Sequence, residues 1–282
     1  MDNRPIGVFD SGFGGLTVLY ELSKLLKNES IVYFGDNGRA PYGTKSKEIV
    51  IKYTFQDINF LLNQDVKMIV IACNTASACS LSKVKNCFDI PLIEVVEPGA
   101  LSVAKTTKNK KVGIIGTTAT INSGVYERAI KKINDNIEIF VKACPLFVPL
   151  VEEGWWENDI VEMIAKEYLN PLKKQGIDTL VLGCTHYPLL EEIIKKVMGE
   201  DVILVSSALE IAKSVKELIK EKNIERDSEI TPVYRYYTSD CVDKFENLGQ
   251  SILKQKIYSV QKVDIEKYWA LVNLMTTEVT FT

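Results

Sequence analysis

Two apolar runs a little over a hundred residues apart end in the same way. Met68-Ile69-Val70-Ile71-Ala72 leads into Cys73-Asn74-Thr75, and Thr179-Leu180-Val181-Leu182-Gly183 leads into Cys184-Thr185-His186. Unbroken aliphatic runs of this length, bounded by polar residues, read as strands buried on both faces of a sheet. Such a strand delivers the residues that follow it to the carboxyl edge of the sheet, where open α/β folds place their ligands. A second echo supports the pairing: Ile6-Gly7-Val8-Phe9-Asp10-Ser11-Gly12 resembles Val112-Gly113-Ile114-Ile115-Gly116-Thr117-Thr118. Gly113 follows Gly7 by 106 residues and Cys184 follows Cys73 by 111, so the chain reads as two similar α/β halves.

Strands are predicted near 5–10, 31–34, 67–72 and 92–95, with helices near 14–27, 46–63 and 76–86. The second half repeats this, with strands near 111–116, 137–141, 178–183 and 202–205 and helices near 121–134, 158–174 and 187–198. Strands alternating with helices call for mainly parallel sheets wound by right-handed crossovers. A Ser-capped helix over 207–222 precedes the aromatic strand 233–238, which has no partner left in the second half and is expected to complete the first sheet. From about 250 onward the patterning is weak and carries no chemistry.

Composition narrows the function. At 282 residues, 46% apolar and 25% charged, the chain has material for two cores and no bias towards disorder. A net charge of -3 argues against a nucleic-acid partner, and the lysines at 108, 110, 111, 173, 174, 195 and 196 read as solvated faces. No signal-like h-region or membrane-length apolar window is present, so a cytosolic protein is expected. Six cysteines (73, 79, 87, 144, 184 and 241) without a C-x-x-C are expected to be reduced, and a single histidine makes a His-based metal site improbable.

Most free cysteines are small buried hydrophobes, which is the reading for 79, 87, 144 and 241. Cys73 and Cys184 differ because each stands at a strand exit before polar residues. His186 lies two residues beyond Cys184, where an imidazole can exchange a proton with a thiol or stabilise a thiolate. Asp10 ends the first strand and enters Ser11-Gly12-Phe13-Gly14-Gly15. That loop has neither dinucleotide nor P-loop spacing, which disfavours a nucleotide and keeps open an anion site for a carboxylate. Asp10 itself reads either as a turn acid or, opposite a thiol, as a group that holds a proton.

Six motifs then converge: Asp10-Ser11-Gly12-Phe13-Gly14-Gly15-Leu16-Thr17; Gly35-Asp36 with Pro41-Tyr42-Gly43; Cys73-Asn74-Thr75-Ala76-Ser77; Gly116-Thr117 with Ala119-Thr120; Pro149-Leu150-Val151-Glu152; and Gly183-Cys184-Thr185-His186-Tyr187-Pro188-Leu189. In this order, from about residue 5 to 240, they closely resemble the glutamate racemases of the aspartate/glutamate racemase superfamily. The resemblance implies two doubly wound α/β domains with the active site in the cleft between them: 1–98 with 209–250, then 99–208, and a C-terminal extension over 251–282. It implies a cofactor-independent isomerase that supplies D-glutamate for peptidoglycan in a bacterial cytoplasm, commonly as a homodimer.

By motif, Cys73 serves the D-glutamate side and Cys184 the L-glutamate side, with Asp10 assisting Cys73, His186 assisting Cys184, and Glu152 supporting the second base. Asp10, Ser11, Tyr42, Gly43, Asn74, Thr75, Thr185 and His186 would hold the substrate, with Thr117 and Thr120 as further contacts. Two thiols suit the reaction because inverting an α-carbon removes a proton from one face and delivers another to the opposite face. Arg39 is the one arginine within the motifs, so neutral donors rather than a bidentate guanidinium are expected on the substrate carboxylates. Asn37 departs from the family, which more often has Thr there. Alternatives are a relative acting on aspartate, a hydantoin or another acidic amino acid, and, as a second role, gyrase binding. A PLP racemase is disfavoured because no lysine sits at a strand-end motif. A plain α/β binding module would leave both strand-end thiols without purpose.

Overall fold

The computed structural model describes residues 1–269. The first half runs β1 (Ile6–Asp10), α1 (Leu16–Leu25), β2 (Ile31–Gly35), α2 (Lys47–Leu62), β3 (Met68–Ile71), α3 (Asn74–Val84), β4 (Leu92–Glu94) and α4 (Val96–Thr106). The second runs β5 (Lys111–Gly116), α5 (Thr118–Asn122), α6 (Val125–Ile133), β6 (Glu138–Ala143), α7 (Phe147–Glu152), α8 (Asp159–Lys173), β7 (Thr179–Gly183), α9 (Glu191–Met198) and β8 (Ile203–Ser206). The chain closes with α10 (Ser207–Glu221), β9 (Tyr234–Thr238), α11 (Val242–Leu253) and β10 (Gln261–Lys262). Two sheets form, ordered β10-β9-β2-β1-β3-β4 and β6-β5-β7-β8. All pairings are parallel. Each half therefore has the same inner order, with its second strand beside its first, then its third and fourth.

Alternate side chains sort onto opposite faces, as the two-residue strand period requires. Val70, Val112, Ile114 and Val181 belong to one core that runs between the two sheets through α1, α4, α6 and α10. Ile69 and Ile71 face a separate core under α2 and α3. Ile115, Leu180 and Leu182 face a third under α7, α8 and α9. Both sheets are thus covered on both faces, which is why their strands lack polar alternation. Among the described residues no helix is long and apolar enough to cross a membrane.

Several details differ from the periodicity reading. The 121–134 helix is split at Gly124, whose φ of +63° lies in the left-handed region. Helix α4 falls in a stretch left unassigned. Its Pro98 lies in the first turn, where a missing N–H is tolerated, and the Glu94 carboxylate accepts from the N–H of Val96 (2.6 Å) and of Glu97 (2.9 Å). Helix α11 is likewise unforeseen. Between 250 and 269 the chain is structured: β10 pairs beside β9, and Ile265 is buried against the α2 side of the first sheet; the rest of the expected 251–282 extension lies outside the described residues. We propose the boundaries 98/99 and 208/209 for the two domains, since β9 returns to pair with β2.

Candidate functional site

Cys73 and Cys184 each follow the strand next to a sheet's inner strand and enter one narrow cleft at the carboxyl edges of both sheets. They are 4% and 5% exposed. Cys73 caps α3: its Sγ accepts the Ala76 N–H at 3.4 Å and donates to Ser11 Oγ at 3.4 Å. Cys184 Sγ lies 3.7 Å from His186 Nδ1, and His186 Nε2 lies 3.2 Å from Glu152 Oε1. Glu152 is the last residue of α7, so its carboxylate reaches out of the helix end towards the imidazole. Ser11, Tyr42, Gly43, Asn74, Thr75, Thr117, Thr185 and His186 line the same cleft with Pro41 and Val148. Its free volume of about 10 Å³ is that of a closed site, with room for about one water.

Electrostatics separate the two thiols. Burial pushes Cys73 up, and the nearby Asp10 carboxylate pushes it further, so this group is a thiol at neutral pH. For His186, burial alone would lower the pKa, but the bonds to Cys184 and Glu152 outweigh it and hold the imidazole well above its ordinary value. An imidazolium therefore faces Cys184, whereas Cys73 faces Ser11 and the Asp10 carboxylate. Burial raises Asp10, while the charge on His186 and the loop's N–H groups pull it back.

The glycine-rich loop binds an anion, and that anion is Asp10. Its carboxylate accepts from Gly12 N–H at 3.0 Å, from Gly15 N–H, and from Thr185 Oγ1 at 3.1 Å, while Cys73 pairs with Ser11. Asp10 is completely buried beneath the cleft, not part of its lining. The loop glycines serve close approach: a Cβ on Gly14 would strike His186 and Thr185 of the other domain, and one on Gly15 would strike Asp10.

Cleft-lining residues of the two domains are bonded to one another. Thr75 Oγ1 is 2.9 Å from Thr117 Oγ1, which is 3.0 Å from Thr120 Oγ1. Thr120 thus stands behind Thr117 rather than in the lining. The Asn74 side chain is fixed from both ends, accepting from Tyr126 Oη at 2.6 Å and donating to Ser207 Oγ at 3.4 Å. Tyr126 and Ser207 were not legible as site residues, because Tyr126 sits at a buried helix position that reads as core and Ser207 reads as a helix cap. All six cysteines are free, and no cluster of His, Cys, Asp or Glu among the described residues could hold a metal ion.

Residues 17–215 match the model of the family described as Asp/Glu/Hydantoin racemase. The chain is 46% identical over 263 residues to the glutamate racemase of Geobacter metallireducens, covering 93% of this chain and 97% of that one. It is similar to the crystal structure of glutamate racemase isoform RacE1 from Bacillus anthracis, with a TM-score of 0.90 and 42% identity over 94% of this chain and 98% of that one. Glutamate racemase from Francisella tularensis in complex with D-glutamate matches with a TM-score of 0.89 and 42% identity, over 95% and 100% of the two chains.

Proposed function

The chain belongs to the Asp/Glu/hydantoin racemase family and is an amino-acid racemase, an isomerase; we propose that its substrate is glutamate, inverted at Cα by Cys73 and Cys184 without a cofactor. The observation that carries this reading is the pair of buried thiols at corresponding strand ends of two facing domains, in unlike electrostatic surroundings. The D-glutamate held by the Francisella tularensis relative supports the choice of substrate.

Starting from L-glutamate the reaction needs Cys184, beside His186, as the thiolate base and Cys73 as the thiol. L-Glutamate then loses its α-proton to the Cys184 sulfur. The C–H electron pair stays on the substrate as a carbanion delocalised into the α-carboxylate, and the Cys73 S–H delivers a proton to the opposite face of Cα. This leaves Cys184 as thiol and Cys73 as thiolate, the arrangement that D-glutamate needs for the reverse reaction. The first turn of α3, with the Asn74 and Thr75 N–H groups lacking helical acceptors, favours the carboxylate as it gains charge. Asp10, bonded to the loop and to Thr185, acts on Cys73 through its field and holds the two domains in register.

We assign the enzyme to D-glutamate supply for peptidoglycan, as a homodimer in the bacterial cytoplasm with neither a nucleic-acid nor a membrane partner. The test is incubation of chelator-treated, PLP-free protein with L-glutamate in deuterium oxide, following circular dichroism and α-deuterium together. Decay of the optical signal with deuterium in the product is expected. A response to aspartate but not glutamate would move the substrate, and no exchange with any acidic amino acid would overturn the reading.

A further inference from the structure

Behind the cleft, one arginine gathers three acids: one from its own turn, one from α2 and one from the C-terminal segment. Arg39, half-buried after β2, donates from Nε to Asp36 Oδ2 at 2.6 Å, from Nη2 to Asp57 Oδ1 at 3.1 Å, and from Nη1 to Glu266 Oε1 at 3.2 Å. Nη1 also donates to Gln56 Oε1 at 2.6 Å, and the guanidinium stacks 3.9 Å from the Tyr53 ring centre. The two buried acids converge on Tyr42: its hydroxyl is bonded to Asp36 Oδ2 and lies 2.9 Å from Asp57 Oδ2. Tyr42 opens the short turn Tyr42–Thr44, whose Tyr42 and Gly43 line the cleft. The turn has no slack on its other side, since a Cβ on Gly43 would lie 2.5 Å from Thr117 Cβ.

We propose that Arg39 is the positioning residue of the Tyr42–Thr44 turn, and that the C-terminal segment from Gln261 to Tyr268 is a strap that holds Arg39 in place through Glu266. The strap is anchored at three points: β10 pairs with β9, Ile265 is buried against the α2 side of the sheet, and Tyr268 packs edge-on against Phe60. Gln56 Nε2 ties Glu266 to α2 at 3.2 Å. The segment whose sequence carries no chemistry thus reaches the substrate turn through a single cation.

Hydrogen counting gives the network its protonation. One phenolic hydrogen faces two carboxylate oxygens, and a single guanidinium faces both acids, so one of them keeps its proton. Both acids are fully buried, but Asp36 accepts the shorter Arg39 contact, 2.6 Å against 3.1 Å, so Asp57 keeps the proton: its O–H donates to Tyr42, Tyr42 donates to the Asp36 carboxylate, and Asp36 accepts from Arg39. A neutral amide at position 57 satisfies the same geometry, donating to Tyr42 and accepting from Arg39.

The proposal rests on the reading of the cleft as the glutamate site, and two readouts keep their failures apart. Steady-state kinetics on the full chain should show KM for glutamate raised about tenfold in Arg39→Met and about two- to threefold in Glu266→Gln, with kcat within about threefold, as for loss of binding shared by ground and transition states. Asp57→Asn should keep the wild-type KM while Asp57→Leu raises it. Without substrate, hydrogen exchange of the peptide spanning 40–46 should quicken in Glu266→Gln. Wild-type KM and exchange in Glu266→Gln, or a loss confined to kcat, would overturn the strap. Should Arg39→Met fail to fold, Glu266→Gln carries the test, because that side chain is 58% exposed and its removal leaves the core intact. Wild-type protein inert towards glutamate, yet with quickened exchange in the variant, would remove the substrate reading and keep the strap.

Discussion

In the proposed mechanism each thiol depends on one or two neighbours. Cys73→Ala and Cys184→Ala should each lower racemisation in both directions by at least about 10²–10⁴-fold, the usual weight of a general acid or base, with the fold retained by circular dichroism. Retention of two-way turnover in either variant would refute the two-base assignment. The His186–Glu152 pair sets a pH limit. His186 has a raised folded-state pKa, so its stabilising contribution is fully present below about 6.5, the unfolded value, and is lost as pH rises through the folded value. Activity that needs the imidazolium should fall on that same alkaline limb. Glu152→Gln removes the carboxylate and should shift the limb of kcat/KM to lower pH, as measured by a pH–rate profile. The thiols and His186 were legible in sequence because local pattern sets them at strand ends. The role of Asp10 was not, because its carboxylate turns back into its own loop and towards Thr185, 175 residues away.

Elements explain where the pattern failed. Helix α4 begins at a Glu94 cap that reads, on its own, as the polar end of a short strand. Glu94→Ala should cost about 1 kcal/mol, in the range for lost caps, and leave glutamate turnover near wild type; chemical denaturation and a racemisation assay check the two halves of that expectation. The strand-to-helix loops after β1 and β3 carry the site because parallel strands bring all their carboxyl ends to one edge. That consequence follows from apolar runs alternating with amphipathic ones, and it is why the fold class could be read before any coordinates.

At the scale of the molecule the two domains share one core and close on one cleft. The Tyr126 hydroxyl crosses that boundary to Asn74, and Tyr126→Phe would leave a buried amide oxygen without a donor. This should cost about 1–3 kcal/mol in thermal or chemical unfolding and raise KM for glutamate; unchanged stability and KM would show that Asn74 needs no such support. Sequence alone determined the α/β class, the doubling of the half and the two strand-end thiols, since each is written in residues adjacent in the chain or spaced by a helical or strand period. Only the tertiary structure decided which charges meet. It set Glu152 on His186, filled the glycine loop with Asp10, and joined Arg39 to Glu266 across 227 residues. Those contacts depend on how two sheets face each other and where the chain's end returns, geometry that no local periodicity encodes.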